Sequence, residues 1–328
     1  MRHNSEDIFL SVIIPCYNVQ DYISSCITSL GHQNKTIPVE FIFINDGSTD
    51  NTLKCLLKFQ HIDSRVLVIN KLNEGVSSAR NDALKVAKGE YVYFLDGDDY
   101  ISDNALSVIY DSLREGEEDM LITNLVYKEK NKEVNYNNGI LPGNYTPKQL
   151  YESSQIFPTP PQNIYKNAII KRNNISFDSK LKVGEVYDFT VKFLQYANKI
   201  KVINNPIYYY VMHDQSATHK PNYPSDITVI NTINSLYYTD ADFGKIISFH
   251  LTAFKIATSF TYNKYVLNGL DTKESRFVVK SLLSNRLFKQ ITRKIILNNH
   301  KCIKERLLAI YIQLSGLLGF RILIRIKR

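Results

Sequence analysis

Three polar segments carry most of the chemistry this sequence offers, and each follows an apolar run. Asp96-Gly97-Asp98-Asp99 follows the run at 91–95. Carboxylates two residues apart, with glycine between them, can fold around one hard cation. Mg2+ and Mn2+ take oxygen ligands and keep part of their shell for substrate phosphates. The same tetrapeptide also suits a turn and a helix cap, where Asp and Gly are at home. Taken alone it leaves both readings open.

Asn45-Asp46-Gly47-Ser48-Thr49-Asp50 follows the run at 39–44. As plain structure it is a glycine turn with Ser48 or Asp50 as helix cap. Asp46 comes too early to cap, and a carboxylate at a strand tip can accept the imide N–H of a uracil. The segment from Asn73 through Gly75 to Arg80 and Asn81 opens another helix. Its first-turn N–H groups favour anions. Arg80 there suits a base carbonyl, a phosphate or plain solvent. No GxGxxG and no GxxxxGK[ST] occurs, which disfavours NAD-type and P-loop chemistry.

Alternating elements position these segments. Apolar runs at 9–14, 39–44, 66–69 and 91–95 read as strands, and 120–126 is strand-like. Between them, apolar steps of three and four at 19–30, 49–59, 77–87 and 105–113 read as helices. Strand and helix in alternation mean βαβ units and a parallel sheet covered on both faces. Ligands of such sheets bind beyond the carboxyl ends of the strands, where all these polar segments fall. Residues 128–162 read as an irregular excursion, a lid or acceptor-facing insert. Helix signals return at 187–196, a strand broken at Pro206 at 201–210, and mostly helical stretches at 227–267 and 276–297.

Composition sets the outer limits. The 328 residues are 44% apolar with 22 Tyr and 16 Phe, which excludes a disordered chain, and the length suggests two domains or one large domain with an appendage. Cys16, Cys26, Cys55 and Cys302 match no zinc spacing and read as free thiols in a reducing compartment. Residues 1–7 show no secretory pattern. The net charge of +8 is uneven: residues 273–328 hold 14 Lys and Arg against Glu274 and Glu305, a net +12 that leaves −4 for the rest. That argues against nucleic acid as partner and for a surface-binding appendage.

In order, SVIIPCYN, INDGSTDNT, NEGVSSARNDAL and GEYVYFLDGDD resemble the family 2 glycosyltransferases, over roughly residues 9–216. The resemblance implies the GT-A fold: α/β, a Rossmann-like, mostly parallel sheet with helices on both faces. It implies transfer of a sugar from a nucleotide diphosphate, usually UDP, to an acceptor hydroxyl with inversion. It places Pro15 and Tyr17 around the nucleobase, Asp46 on the base with Arg80 beside it, and Asp96 near ribose and sugar. Asp98 then binds a divalent cation, Mn2+ or Mg2+, and Asp99 supports the motif or the sugar. The family's general base is the Asp of an E-D-x-x-F-like segment. Here the segment is Gly184-Glu185-Val186-Tyr187-Asp188-Phe189, with Val186 at the usual Asp position. Valine takes no proton, so Glu185 is the preferred candidate and Asp188 the second. Tyr208 to Ser216 resembles the family's following strand, with His213 as a metal-ligand or diphosphate candidate or a structural histidine.

The tail has an uncharged run of only 14 residues, 307–320, against the roughly 20 a membrane span needs. Basic and large apolar residues alternate at 321–328, which suits an interfacial anchor on an anionic membrane. The alternative is a helix docked on the body. The expectation is a catalytic domain at 1–220 and a helical region at 221–328. The protein would be cytoplasmic and peripheral on the inner membrane face, with a saccharide or lipid-linked saccharide as acceptor, a precursor of a bacterial surface polysaccharide. The rival reading is a degenerate binder of nucleotide sugars, which rests on Val186. A nucleotidyltransferase would show a Gly-rich, basic N-terminal loop, absent from SVIIPCYN.

Overall fold

The computed structural model describes residues 8–130, 132–136, 139–153, 160–182, 184–213 and 272–297. The expected helical stretch at 227–267, the basic tail, Ser216 and Cys302 lie outside the described residues. The chain divides into two compact units: 1–150, 158–179 and 192–212 in the first, 151–157, 180–191 and 213–328 in the second.

The first unit holds one ten-stranded sheet, and its founding half is parallel. β1 (Leu10–Cys16), β2 (Val39–Asp46), β3 (Val66–Lys71) and β4 (Tyr91–Phe94) lie in the order β3-β2-β1-β4, every pair parallel. All seven residues of β1 are buried, as a strand covered on both faces requires. The crossovers are α1 (Ile23–Gly31), α2 (Thr52–Ile62) and α3 (Val76–Val86). α1 buries Ile23, Cys26 and Leu30, the stripe its sequence spacing anticipates.

Two helices begin later than their apolar spacing suggests, because the preceding residues join loops. Before α1, Tyr22 N–H bonds the Val19 carbonyl while Val19 N–H goes to Thr52 Oγ1. Before α2, Thr49 N–H goes to Asn18 Oδ1, and Asp50 accepts the Thr52 N–H as a cap would. At the exit of α3, Gly89 lies against β1: a Cβ there would meet Ser11 N at 2.4 Å. Ser11 Oγ accepts the Gly89 N–H and donates to Glu40, fixing the start of β4.

After β4 come β5 (Tyr100–Ile101), α4 (Ala105–Leu113) and β6 (Met120–Glu129). Residues 128–162 are not the irregular excursion the sequence suggests. β6 continues to Glu129 and hairpins into β7 (Lys132–Tyr136), followed by β8 (Gly143–Tyr145), α5 (Pro147–Ser153) and a 3-10 turn at Pro160–Gln162. β7 is exposed at four of its five positions, so it carries no apolar alternation to read. β9 (Asn163–Lys166) then inserts antiparallel between β4 and β6, and α6 (Asn167–Arg172) follows. β10 (Ile200–Val211) runs parallel to β6, with register shifts around Pro206, and pairs antiparallel with β5 and β8.

The second unit contains most of α7 (Glu185–Leu194), which spans the division between the units, and two basic amphipathic helices, α8 (Lys273–Ser284) and α9 (Arg286–Leu297). Asn285 separates the last two and caps α9 by accepting the Phe288 N–H at 2.9 Å. Leu287, Phe288 and Ile291 are buried while Arg286, Lys289 and Arg293 are exposed. Among the described residues no helix is long and apolar enough to cross a membrane.

Candidate active site

The carboxyl ends of β1, β2, β3 and β4 meet at one edge, and a hydrogen-bond net ties their loops together. After β1, Asn18 takes a left-handed conformation (φ 52°). Its N–H bonds Ser48 Oγ at 3.0 Å and its Oδ1 accepts the Thr49 N–H at 2.8 Å. Pro15 is buried in the strand, and the Tyr17 ring is half exposed. At the tip of β2, buried Asp46 accepts the Glu74 N–H at 3.0 Å and the Gly75 N–H at 2.7 Å. This carboxylate therefore holds the entrance of α3 and keeps lone pairs for another donor, since a carboxylate has about four acceptor sites. Gly47, at φ 68°, makes the turn possible: a Cβ would lie 2.6 Å from Asn73 N. Lys71, at the tip of β3, braces the same entrance through Glu74, Ser78 and Asp82.

The acidic motif is pinned from several sides. Arg80, on α3, donates from Nη2 to Asp96 Oδ1 at 2.7 Å, and its guanidinium lies 5.3 Å from the centre of the Phe177 ring. The Arg80 side chain is 6% exposed and that of Asp96 34%, so the arginine serves the motif from within. Asp99 N–H bonds the Asp96 carbonyl at 3.0 Å, closing a turn. Gly97 faces β1, where a Cβ would meet Cys16 Sγ at 2.8 Å and the Pro15 carbonyl at 3.1 Å. Only glycine fits this approach.

Asp99 is buried. Its Oδ1 accepts the Val211 N–H at 2.7 Å and its Oδ2 accepts the Tyr208 hydroxyl. Burial, then the Asp98 and Asp96 charges, push this carboxyl up to about 9. Burial also raises the Cys16 thiol, with contributions from Cys26, Asp98 and Asp96. Asp98 is half-buried between its two acidic neighbours.

Sequence reasoning brings Pro15, Tyr17, Asp46, Arg80, Asp96, Asp98 and Asp99 into the first unit. Glu185, Asp188 and His213 belong to the second. There Glu185 is half-buried and Asp188 fully buried, with Asp188 N–H on the Gly184 carbonyl. Residue type and spacing do not single out Lys71, Asn18, Val211 or the Tyr208 hydroxyl as site residues. Tyr208 carried one signal, a tyrosine at an inward strand position in a chain with unmatched acids. The other three act through contacts that loop geometry sets: the Lys71 ammonium, the Asn18 amide oxygen and the Val211 N–H. Among the described residues no group of three or more His, Cys, Asp or Glu side chains is arranged to hold a metal. Cys16, Cys26 and Cys55 are free thiols, as expected.

A family model described as Glycosyl transferase family 2 matches residues 11–176, half of the chain and all seven residues gathered at this edge. The chain belongs to glycosyl transferase family 2. Its relatives in the family include the poly(ribitol-phosphate) beta-glucosyltransferase of Bacillus spizizenii, 34% identical over 62% of this chain and 32% of the relative. The poly(ribitol-phosphate) beta-N-acetylglucosaminyltransferase TarS of Staphylococcus aureus is 29% identical over 80% of this chain and 46% of the relative. TarP of the same species, named for the same activity, is 30% identical over 70% of this chain and 71% of the relative. The chain thus spans about a third of the length of the first and just under half of the second. The crystal structure of TarS 1-349 superposes with a TM-score of 0.70 at 25% identity, covering 97% of this chain and 90% of that one. The family 2 fold read from the four motifs is the fold observed.

The Arg80–Asp96 pair separates a structural ion pair from a surface one. Arg80→Leu should lower unfolding stability by ~1.5–3 kcal/mol, the range for hydrogen bonds to charged groups. Lys85→Leu breaks the Asp82 contact of a lysine that is 73% exposed. It should cost only ~0–1 kcal/mol. Urea unfolding of both variants checks the order, and equal losses would reject it.

Proposed function

We propose that this family 2 chain is a glycosyltransferase that moves a sugar from a nucleotide diphosphate, UDP in the first instance, to an acceptor hydroxyl with inversion. The observation that carries this reading is the convergence of Asp46, the Arg80–Asp96 pair and Asp98 on one sheet edge, beside the start of α3. The nucleobase would lie against Pro15 and Tyr17, with its imide N–H donated to Asp46. The first-turn N–H groups of α3 favour the diphosphate.

Three carboxyl groups within four residues suit a hard cation that retains water and phosphate ligands. Asp98 would hold it, with Asp96 beside it and His213 as a further candidate. When bound, Mn2+ or Mg2+ neutralises charge on the leaving diphosphate. Glu185 would accept the proton of the acceptor hydroxyl while that oxygen attacks the anomeric carbon opposite the departing diphosphate. Its partial exposure favours it over buried Asp188. The second reading is a nucleotide-sugar binder without transfer, favoured by Val186 at the usual base position.

The names of the relatives favour an acceptor of the surface-polymer class, a polyol-phosphate chain or its lipid-linked precursor. The catalytic domain would end near 220. The basic segment at 321–328 would place the enzyme on the cytoplasmic face of an anionic membrane.

Turnover of UDP-, GDP- and dTDP-sugars, with and without added Mn2+, tests the donor class. Asp98→Asn should abolish metal-dependent turnover and UDP binding, because it removes an anionic oxygen; full activity in EDTA would reject the metal role. Glu185→Gln should lower kcat by at least ~10² with UDP affinity retained, whereas Asp188→Asn should cost less. Loss confined to Asp188→Asn would reverse the two roles, and a gain of activity only in Val186→Asp would favour the binder. Replacing Arg321, Arg325, Lys327 and Arg328 with glutamine should release the protein from anionic vesicles; unchanged co-sedimentation would reject the anchor.

A further inference from the structure

The motif Asp96-Gly97-Asp98-Asp99 is held in place by a residue more than a hundred positions away. Tyr208 is fully buried on β10, and its hydroxyl meets the motif twice. It accepts the Asp96 N–H at 3.3 Å and donates to Asp99 Oδ2. Val211, on the same strand, donates its N–H to Asp99 Oδ1 at 2.7 Å. The pairing of β5 with β10 places Tyr208 opposite Ile101 and Tyr209 opposite Tyr100, so β10 also fixes the backbone leaving the motif. Gly97 is fixed in the middle against Pro15 and Cys16.

The ring and the hydroxyl of Tyr208 have separable duties. The ring belongs to the apolar core, where phenylalanine would fill the same space. The hydroxyl bonds Asp96 and Asp99, both in the acidic motif. A tyrosine needed for packing alone has no use for that oxygen, which in a core is a liability unless bonded.

We propose that Tyr208 is a positioning residue of the donor site, whose hydroxyl sets the backbone of Asp96-Gly97-Asp98 so that its carboxylates face a nucleotide diphosphate. The ligand in this proposal rests on the glycosyltransferase reading above; the hold on the loop does not. Fixing such a loop before the ligand arrives removes an ordering cost from binding. The diphosphate end of a nucleotide should feel its loss, and the base, held by other loops, should not.

Tyr208→Phe in the full chain tests this, with amide hydrogen exchange read without ligand and calorimetry with two probes, UDP plus Mn2+ and uridine alone. Exchange at residues 96–98 should quicken by ~tenfold, the effect of losing one ordinary hydrogen bond, while residues 41–44 of β2 stay protected. UDP–Mn2+ affinity should fall by ~tenfold, and uridine affinity should change by less than about twofold. Asp99→Asn, which keeps an acceptor for Val211 and weakens the tyrosine bond, should give the same pattern with smaller amplitude. Unchanged exchange at 96–98 overturns the proposal. So does equal quickening across β1 and β2, or a parallel fall in uridine and UDP affinity, since either marks general loosening. If the wild-type protein binds no UDP, the donor reading and the ligand proposed here both fail, while the exchange result still decides whether Tyr208 holds the loop.

Discussion

Concentrating negative charge at one sheet edge is the constraint that the rest of this structure answers. Asp96, Asp98 and Asp99 occupy four consecutive positions with one glycine, close enough that the Asp98 and Asp96 charges raise the cost of ionising Asp99. Folding such a cluster without compensation would cost several kcal/mol, comparable to the whole stability of a domain. The chain resolves it by giving each acid a different setting. Asp96 receives a buried guanidinium, Asp99 is buried and bonded to Tyr208 and Val211, and Asp98 stays half-buried between them. Asp46 solves the same problem nearby with two backbone N–H groups.

That arrangement explains the glycines and the aromatic neighbours. Gly97 lets the acidic loop lie against Cys16 and Pro15, and Gly47 lets the loop after β2 reach Asn73. Phe177 lies against the Arg80 guanidinium and Phe94 packs edge-on to Phe177, so the charge pair is backed by an apolar wall. Water is displaced from one side of the pair, which strengthens it.

The parallel half of the fold was legible because its signals are local. Continuous apolar strands, helical stripes and polar segments at strand ends each fall within a dozen residues, and the acids at those strand ends came with them. What escaped lacked a local apolar pattern or was set by distant pairing. β7 is exposed and β9 has only four residues, so neither carries a pattern that outweighs its neighbours. The early ends of α1 and α2 were misplaced because Asn18, Asp50 and Thr52 bind across two loops 30 residues apart. Arg80 was seen as a contact for ligand or solvent. Its pairing with Asp96 follows from α3 lying beside β4's exit, which no spacing rule encodes.

Because Asp99 finds its partners at Tyr208 and Val211, the acidic loop emerges from the ribosome long before the strand that completes it. The separation of 109 residues corresponds to ~5–20 s of synthesis at ordinary elongation rates. During that interval β1 to β4 can assemble on their own, since each pairs with a strand from the first hundred residues. The nascent chain can therefore hold a formed β1-to-β4 edge while its acidic loop still lacks Tyr208 and Val211, and the arrival of β10 completes that loop.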